Sequence, residues 1–494
     1  MELVSHVIGG SVRAPRSDRR GAVFNPATGE QRAEVAFASA AEVDEAVAVA
    51  AAAFPAWRAT SLSRRAEVLF ALRELVHRHR TDLARLITLE HGKVLSDAEG
   101  EVTRGLENIE FACGIPNLLK GGFSEQAATG VDVFSIHQPL GVVAGITPFN
   151  FPAMVPMWMF ANAIACGNCF ILKPSEKDPS AANYIAELVA EAGVPDGVFN
   201  VVHGDREAVD RLLDHPDVAA VSFVGSTPIA KHIYETGTAN AKRVQALGGA
   251  KNHMVVLPDA EIDAAADAAI SAAFGSAGER CMAISVCVAV GGVGDALVDA
   301  ISARMPAITV GDGLDPASEM GPLVSLEHRD RVAGYLDAGE AAGAKVLVDG
   351  RDLLERPGYF LGCSLLDHVT PEMSVWTDEI FGPVLSVVRV DTYEEALEVI
   401  HAHDYGNGTA IFTRDGGAAR RFQFDVQVGM VGINVPVPVP VSYYSFGGWR
   451  SSLFGDTHMY GPDGVSFYTR TKVVTQRWPD PATSSVDLGF PQNR

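Results

Sequence analysis

The sequence predicts an α/β protein built around a parallel β-sheet, and three observations predict it. From Gly141 onward, apolar stretches of strand length alternate with helical stretches, the rhythm of βαβ units joined by right-handed crossovers. The same alternation resumes after Cys281. Between these halves, Phe223-Val-Gly225-Ser226 runs from a strand directly into a helix, where backbone N–H groups can receive a phosphate. With no full G-x-G-x-x-G, that turn is equally an ordinary strand–helix connection. A chain of 494 residues exceeds one hydrophobic core and should hold two or three domains.

Taken in order, residues 8–10 and 24–30 are short strands and turns punctuated by Gly and Pro. Residues 41–53 form an alanine-rich helix. Residues 63–80 form an amphipathic one, with Val68, Leu69, Leu72, Leu75 and Val76 on one face and Ser63 as its cap. Helices continue to about Cys113. Residues 121–138 alternate and read as an extended hairpin, a candidate oligomer arm because isolated hairpins are marginal. Strands follow at 142–146, 169–173, 198–201 and 219–224. Helices fall at 152–165, 179–192, 206–214 and 226–235. Ligands of such sheets bind at the carboxyl ends of the strands. After an alanine-rich helical run at 264–273, the second half has strands at 285–290, 384–390 and 429–434. Its helices fall at 295–305, 326–342 and 393–401. Pro436-Val-Pro-Val-Pro440 cannot be a central strand, since proline removes ladder donors. Residues 465–474 read as a late strand that pairs with the hairpin, and the tail from Pro479 is ordered only by contact.

Composition excludes several function classes. Hydrophobic residues make up 47% and charged residues 20%, a globular balance. A net charge of −22 offers no footprint for nucleic acid or an anionic membrane. Arg13, Arg16, Arg19 and Arg20 are a small basic cluster within the first strands and turns. No apolar run is long enough to span a membrane, and residues 1–11 hold no long apolar targeting core. Six cysteines without framework spacing point to a reducing compartment, so a cytoplasmic protein is expected. Cys166-Gly-Asn-Cys169 lacks the second pair a zinc site needs and sits between a helix and a strand. It is read as structural, and no metal is expected.

Three stretches carry chemistry. In Phe274-Gly-Ser-Ala-Gly278-Glu-Arg-Cys281 a cysteine follows a glycine-rich turn at a helix end. A thiol beside a helix end and Arg280 has reason to be partly thiolate. Free cysteine is also among the most buried residue types, so the stretch alone leaves both readings open. Lys173-Pro-Ser-Glu176 ends a strand; a carboxylate there suits ribose hydroxyls and repels a 2′-phosphate, favouring NAD over NADP. Thr147-Pro-Phe-Asn150-Phe-Pro152 holds an amide between prolines and aromatics, able to donate to a developing oxyanion or to satisfy a turn.

Together with Met320-Gly-Pro and Glu379-Ile-Phe-Gly-Pro383, these stretches resemble the aldehyde dehydrogenase superfamily from Asn25 to about Lys472. The resemblance implies a Rossmann-type NAD-binding domain (1–118 and 139–248), an α/β catalytic domain (249–460), a small β oligomerisation arm (119–138 and 461–480) and a C-terminal tail (481–494). It implies Cys281 as nucleophile, with Asn150 and the Cys281 N–H as oxyanion hole. It implies NAD held by Thr147, Phe149, Lys173, Glu176, Lys177, Gly225, Ser226, Glu379 and Phe381. The family's second glycine in the Gly225 turn is Ala230 here.

The departure with most chemical content is Ala246-Leu-Gly-Gly249. Hydrolytic members resemble this stretch but carry a water-activating glutamate, matched here by Ala246. A thiol ionises far more easily than water and needs less help to attack a thioester. With Gly249-Ala-Lys-Asn-His253, Tyr405-Gly-Asn-Gly-Thr-Ala-Ile-Phe412 and 434–440, the chain resembles the CoA-acylating methylmalonate-semialdehyde dehydrogenase branch. That branch implies oxidation of malonate or methylmalonate semialdehyde with NAD, loss of CO2, and release of acetyl-CoA or propionyl-CoA to coenzyme A. It implies Arg104 and Arg280 as carboxylate-binding arginines and a homotetramer. The competing expectation is a hydrolytic aldehyde dehydrogenase acting on another small semialdehyde, with Glu279 as substitute base.

Overall fold

The computed structural model describes residues 2–482 together with Val486, Leu488 and Gly489. Most of the 481–494 tail therefore lies outside the described residues. Two large sheets, each with its own core, organise the rest.

The first sheet has eight strands, in the order Leu453–Phe454, Arg243–Leu247, Val218–Val224, Val142–Ile146, Cys169–Lys173, Phe199–Val201, Val7–Ile8 and Ser11–Val12. The strands from Arg243–Leu247 to Phe199–Val201 run parallel. From Val142–Ile146 the chain winds outward in one direction, then returns to add Val218–Val224 on the other side. That reversal opens a crevice at the strands' carboxyl ends, the usual ligand position in open α/β sheets. Val142–Ile146 and Cys169–Lys173 are buried along their whole length, which is why they read as unbroken apolar runs. Phe160, Phe170, Phe199 and Trp57 fill the core around them.

The second sheet has seven strands: Lys345–Val348, Ser364–Asp367, Val384–Val390, Ile284–Val290, Asn252–Val256, Gly408–Phe412 and Met430–Ile433. Only the Lys345–Val348 edge is antiparallel. Its core gathers Leu365, Leu385, Trp376 and Phe422. A separate three-stranded sheet projects from residues 123–139 and the end of the chain. Thr469–Arg477 pairs antiparallel with Val131–Pro139 over nine residues, and Phe123–Ala128 takes the other side. The expected pairing of late strand and hairpin is thus present.

Two local expectations change. The second helix spans Leu62–Arg78 and is capped by Ser61, whose hydroxyl accepts from the Arg64 N–H at 3.3 Å; Ser63 lies inside the first turn. Both serines fit a capping pattern, and only the helix start separates them. Residues 465–474 are not one strand. Gly461–Phe467 is helical, with Pro462 in its first turn, and the strand begins at Thr469. Among the described residues, no helix is long and apolar enough to cross a membrane.

Candidate active site

A cavity of about 600 Å³ lies at the crevice, walled by both sheets' loops. Asn150, Phe149, Lys177, Gly225 and Ser226 line it from the first sheet, and Cys281, Glu379 and Phe381 from the second. Eight of the site residues expected from the sequence therefore face one space.

The nucleophile turn follows the Ile262–Phe274 helix. Ser276 (φ 54°) and Ala277 (φ 51°) are both left-handed without being glycine, an arrangement that holds only where surrounding contacts over-determine it. Gly278 (φ 75°) presses on the neighbouring loop so closely that a Cβ would collide with the Gly382 carbonyl. The Cys281 carbonyl accepts from Asn252 Nδ2 at 2.9 Å and Asn407 Nδ2 at 3.1 Å, which pins the residue from behind. Asn150 Nδ2 donates to the Glu279 carbonyl at 2.9 Å, using one of its two hydrogens and tying the amide to the strand of chain that leads into Cys281.

The surroundings of the thiol favour its protonated form. Burial pushes Cys281 up to about 12, the Glu379 carboxylate adds repulsion, and Arg280 is the weakest of the opposing influences. The reason is where Arg280 points: its Nη2 donates to Asp97 Oδ1 at 2.5 Å, and its guanidinium packs under Gly275. Arg280 reaches a narrow cleft behind Cys281 rather than the main cavity. Arg104 is exposed on the Leu95–Cys113 helix, paired with Glu107 at 2.8 Å, and does not line the cavity either. Both arginines of the expected carboxylate-binding pair are thus engaged by acidic partners, Arg280 by Asp97 and Arg104 by Glu107.

On the dinucleotide side, Ser226 is the N-cap of the Thr227–Ala239 helix but makes no side-chain capping bond, leaving its hydroxyl for a ligand. The adjacent Thr227 hydroxyl accepts from the Gly249 N–H at 2.8 Å, joining this turn to the glycine pair. Ala230 is fully buried inside the helix and stands clear of the cavity. Thr147 is buried, and its Oγ1 has no hydrogen-bond partner among the described residues. Lys173 Nζ pairs with Glu176 Oε2 at 3.2 Å. Burial pushes Glu176 up, but Lys173, a bond from its own backbone N–H and Lys177 together outweigh it and hold the carboxyl below its usual range. Thr147, Lys173 and Glu176 sit behind the rim rather than on the lining. Lys177 Nζ lies 5.0 Å from the Phe149 ring centre, and Phe149 meets Phe381 edge-on at 5.9 Å. These unspent donors and flanking rings, on a helix N-terminus at the sheet's switch point, fit a dinucleotide.

Glu379 Oε1 accepts from the Ala250 N–H at 2.9 Å, and burial raises this carboxyl to about 7. Phe381 is left-handed (φ 58°), and its carbonyl accepts from His328 Nε2 at 2.6 Å. Ala246 lies inside Arg243–Leu247, fully buried and paired with Phe223 and Phe454, two residues before Gly248 on the cavity wall. Gly248 and Gly249 form the wall instead, and a Cβ on Gly249 would run into the Glu379 carboxylate. The conclusion drawn from Ala246 survives on wider ground, since residues 243–250 contain no carboxylate at all.

Several further residues surround the site, of which His91, His328 and Arg331 carried no distinguishing mark in the sequence. Glu279 is fully buried, and burial raises its carboxyl to about 8. One of its oxygens accepts from the Val324 N–H at 3.3 Å; His328 and His91 lie at 3.4 and 3.7 Å. It does not line the cavity, which counts against the substitute-base expectation. His328 and Arg331 do line it. The Cys166 and Cys169 thiols are buried, unpaired and each pushed up to about 12, in keeping with a structural reading.

The chain belongs to the aldehyde dehydrogenase family, whose model matches residues 13–474. Among its relatives, the malonate-semialdehyde dehydrogenase of Pseudomonas aeruginosa is 56% identical over 496 residues, covering 99% of this chain and all of that one. Malonate-semialdehyde dehydrogenase 2 of Geobacillus kaustophilus is 50% identical, covering 97% and 99%. Among solved structures, the methylmalonate-semialdehyde dehydrogenase of Oceanimonas doudoroffii superposes with a TM-score of 0.96 at 56% identity, covering 98% and 99%. A Sinorhizobium meliloti 1021 protein crystallised with NAD gives 0.96 at 53% identity, with the same coverage.

Proposed function

We propose that the protein is an NAD-dependent, CoA-acylating dehydrogenase of malonate semialdehyde or methylmalonate semialdehyde. The observation that carries this reading is that Cys281 and Asn150 line one cavity with the Gly225–Ser226 turn, into which residues 243–250 bring no carboxylate. The names of the relatives at 47–56% identity support it.

NAD, when bound, accepts the hydride of the aldehyde carbon. Ser226 and the Gly225 turn hold the pyrophosphate, Lys173 and Glu176 the adenosine ribose, and Glu379 and Phe381 the other ribose. Phe149 and Lys177 complete that wall, with Thr147 behind it. The Cys281 sulfur gives up its proton to water in the cavity and bonds to the aldehyde carbon; the carbonyl oxygen becomes an oxyanion, received by the free Asn150 Nδ2 hydrogen and the Cys281 N–H. After oxidation, Cys281 carries a thioester whose carbonyl lies beta to the substrate carboxylate. Loss of CO2 leaves an enolate that the same two donors stabilise. Protonation gives the acetyl or propionyl thioester, and the thiolate of coenzyme A displaces the Cys281 sulfur. Arg104 and Arg280 bind the substrate carboxylate by exchanging it for Glu107 and Asp97.

The reading extends to the whole assembly. The domain division at 1–118 with 139–248, 249–460 and 119–138 with 461–480 is supported by the two cores, with Leu453–Phe454 crossing back to the first sheet. A homotetramer joined through the projecting sheet is supported by its exposed Phe123 and Val473, each 65% exposed. Six unpaired cysteines support a cytoplasmic setting.

The test is NADH formation from each semialdehyde with and without coenzyme A, with products identified. Acyl-CoA and CO2 in step with NADH are expected. Sustained turnover to free acid without coenzyme A would establish the hydrolytic alternative instead.

A further inference from the structure

The residue that ties the oxyanion loop down is a lysine far from it in sequence. Lys93 follows Gly92, the left-handed C-cap (φ 97°) of the Arg80–His91 helix. It is among the largest fully buried side chains, at 1% exposure. A buried lysine is rare unless it is paired. Here Nζ donates to the Asn150 carbonyl at 2.6 Å and to Glu101 Oε2 at 2.8 Å, and it lies 4.4 Å from the Phe151 ring centre.

Glu101 completes the hold from the Leu95–Cys113 helix. Its second oxygen, Oε1, accepts from the Ala153 N–H at 2.8 Å and the Met154 N–H at 3.1 Å. One ion pair therefore grips the 150–154 segment at both ends, the ammonium on the carbonyl of Asn150 and the carboxylate on the N–H groups that open the Met154–Ala165 helix. The backbone of Lys93 has no room to shift: Cβ atoms on Gly313 or Gly321 would collide with the Gly92–Lys93 backbone. The lysine thus rests against the second domain's loop while its head reaches the first domain's oxyanion residue.

We infer that Lys93, with Glu101, is a positioning residue for the oxyanion hole, setting where the Asn150 amide stands relative to Cys281. The inference rests on the oxyanion reading of Asn150. Neither Lys93 nor Glu101 lines the cavity, so both act through Asn150 rather than on the substrate. A displacement of about 1 Å in a catalytic constellation costs roughly 100-fold in rate.

The experiment is a double-mutant cycle read in single-turnover NADH formation, with Lys93→Met, Asn150→Ala and the combined variant. Cys281 alkylation, NAD affinity and thermal midpoint are measured alongside. Lys93→Met should slow hydride transfer by about 100-fold, leaving NAD affinity and alkylation within about 2-fold. In the Asn150→Ala background the same change should cost less than about 3-fold, since residues acting through one another are non-additive. A full additional loss in that background overturns the positioning role while leaving the oxyanion reading intact. An undiminished rate in Asn150→Ala alone overturns the oxyanion reading itself. Should Lys93→Met leave the Glu101 charge too costly to fold around, Lys93→Met with Glu101→Gln takes its place, because it buries no unpaired charge.

Discussion

Asn150 Nδ2 donates to the backbone carbonyl of Glu279 at 2.9 Å, so the candidate oxyanion donor is bonded to the chain two residues before the nucleophile. The amide and the thiol cannot drift apart without breaking that bond. Asn150→Ala should therefore lower the rate of hydride transfer by about 10² to 10³-fold, the usual cost of one oxyanion donor. NAD binding should be nearly unchanged, and stopped-flow NADH absorbance with a fluorescence titration checks both.

The thiol of the free protein should be slow to alkylate. With Cys281 pushed up to about 12, iodoacetamide inactivation should climb tenfold per pH unit through pH 7 to 10. Glu379 raises this group, so Glu379→Gln should lower its pKa and speed alkylation at pH 8 by several-fold. A variant alkylating at the parent's rate would assign the high pKa to burial alone.

Glu279 sets a pH dependence of stability whose sign is fixed. Its carboxyl titrates near 4.5 when unfolded and at about 8 in the folded protein. Between those values the folded state holds a proton that the unfolded chain releases, so its contribution is fully present below pH 4.5 and lost as pH rises through about 8. Glu279→Gln, which stays neutral, should lose less thermal midpoint between pH 6 and 9 than the parent. Scanning calorimetry at matched scan rates measures the difference.

Arg280 donates to Asp97, and under the proposed reading a substrate carboxylate takes that place. Arg280→Gln should reduce kcat/KM for the semialdehyde acids by about 10 to 100-fold, the worth of a hydrogen bond to a charged group. Propanal, which has no carboxylate, should be affected far less. Equal losses on both substrates would place Arg280 outside substrate recognition.

Val473 lies on the projecting strand, exposed at 65%. Val473→Glu should weaken the proposed tetramer and lower the mass measured by light scattering. The unchanged mass would move the interface elsewhere.

Local motifs were legible because their chemistry is written in consecutive residues. The strand-to-helix turn at Gly225–Ser226, the Asn150 loop and the Cys281 turn all meet at one cavity, as the alternation of elements implied. What the sequence could not show was direction. Arg280 is adjacent to Cys281 yet points at Asp97, a partner 183 residues away. Lys93 looks like any charged residue after a helix until folding carries it to Asn150, 57 residues on. Ala246 pairs with Phe223 and Phe454 inside the first sheet, neighbours that the Ala-Leu-Gly-Gly stretch does not announce. Such features belong to tertiary contacts, which neither propensity nor spacing encodes.

The contact between Gly278 and the Gly382 carbonyl bears on protein engineering. The turn that presents the thiol and the loop that presents Glu379 and Phe381 are in van der Waals register, with no space for even a methyl group between them. A library that diversifies residues 379–382 to change coenzyme preference therefore works beside the nucleophile turn, and Cys281 alkylation is worth screening alongside coenzyme use. Lys173–Lys177, on the other sheet, lies away from this contact and can be redesigned free of that constraint.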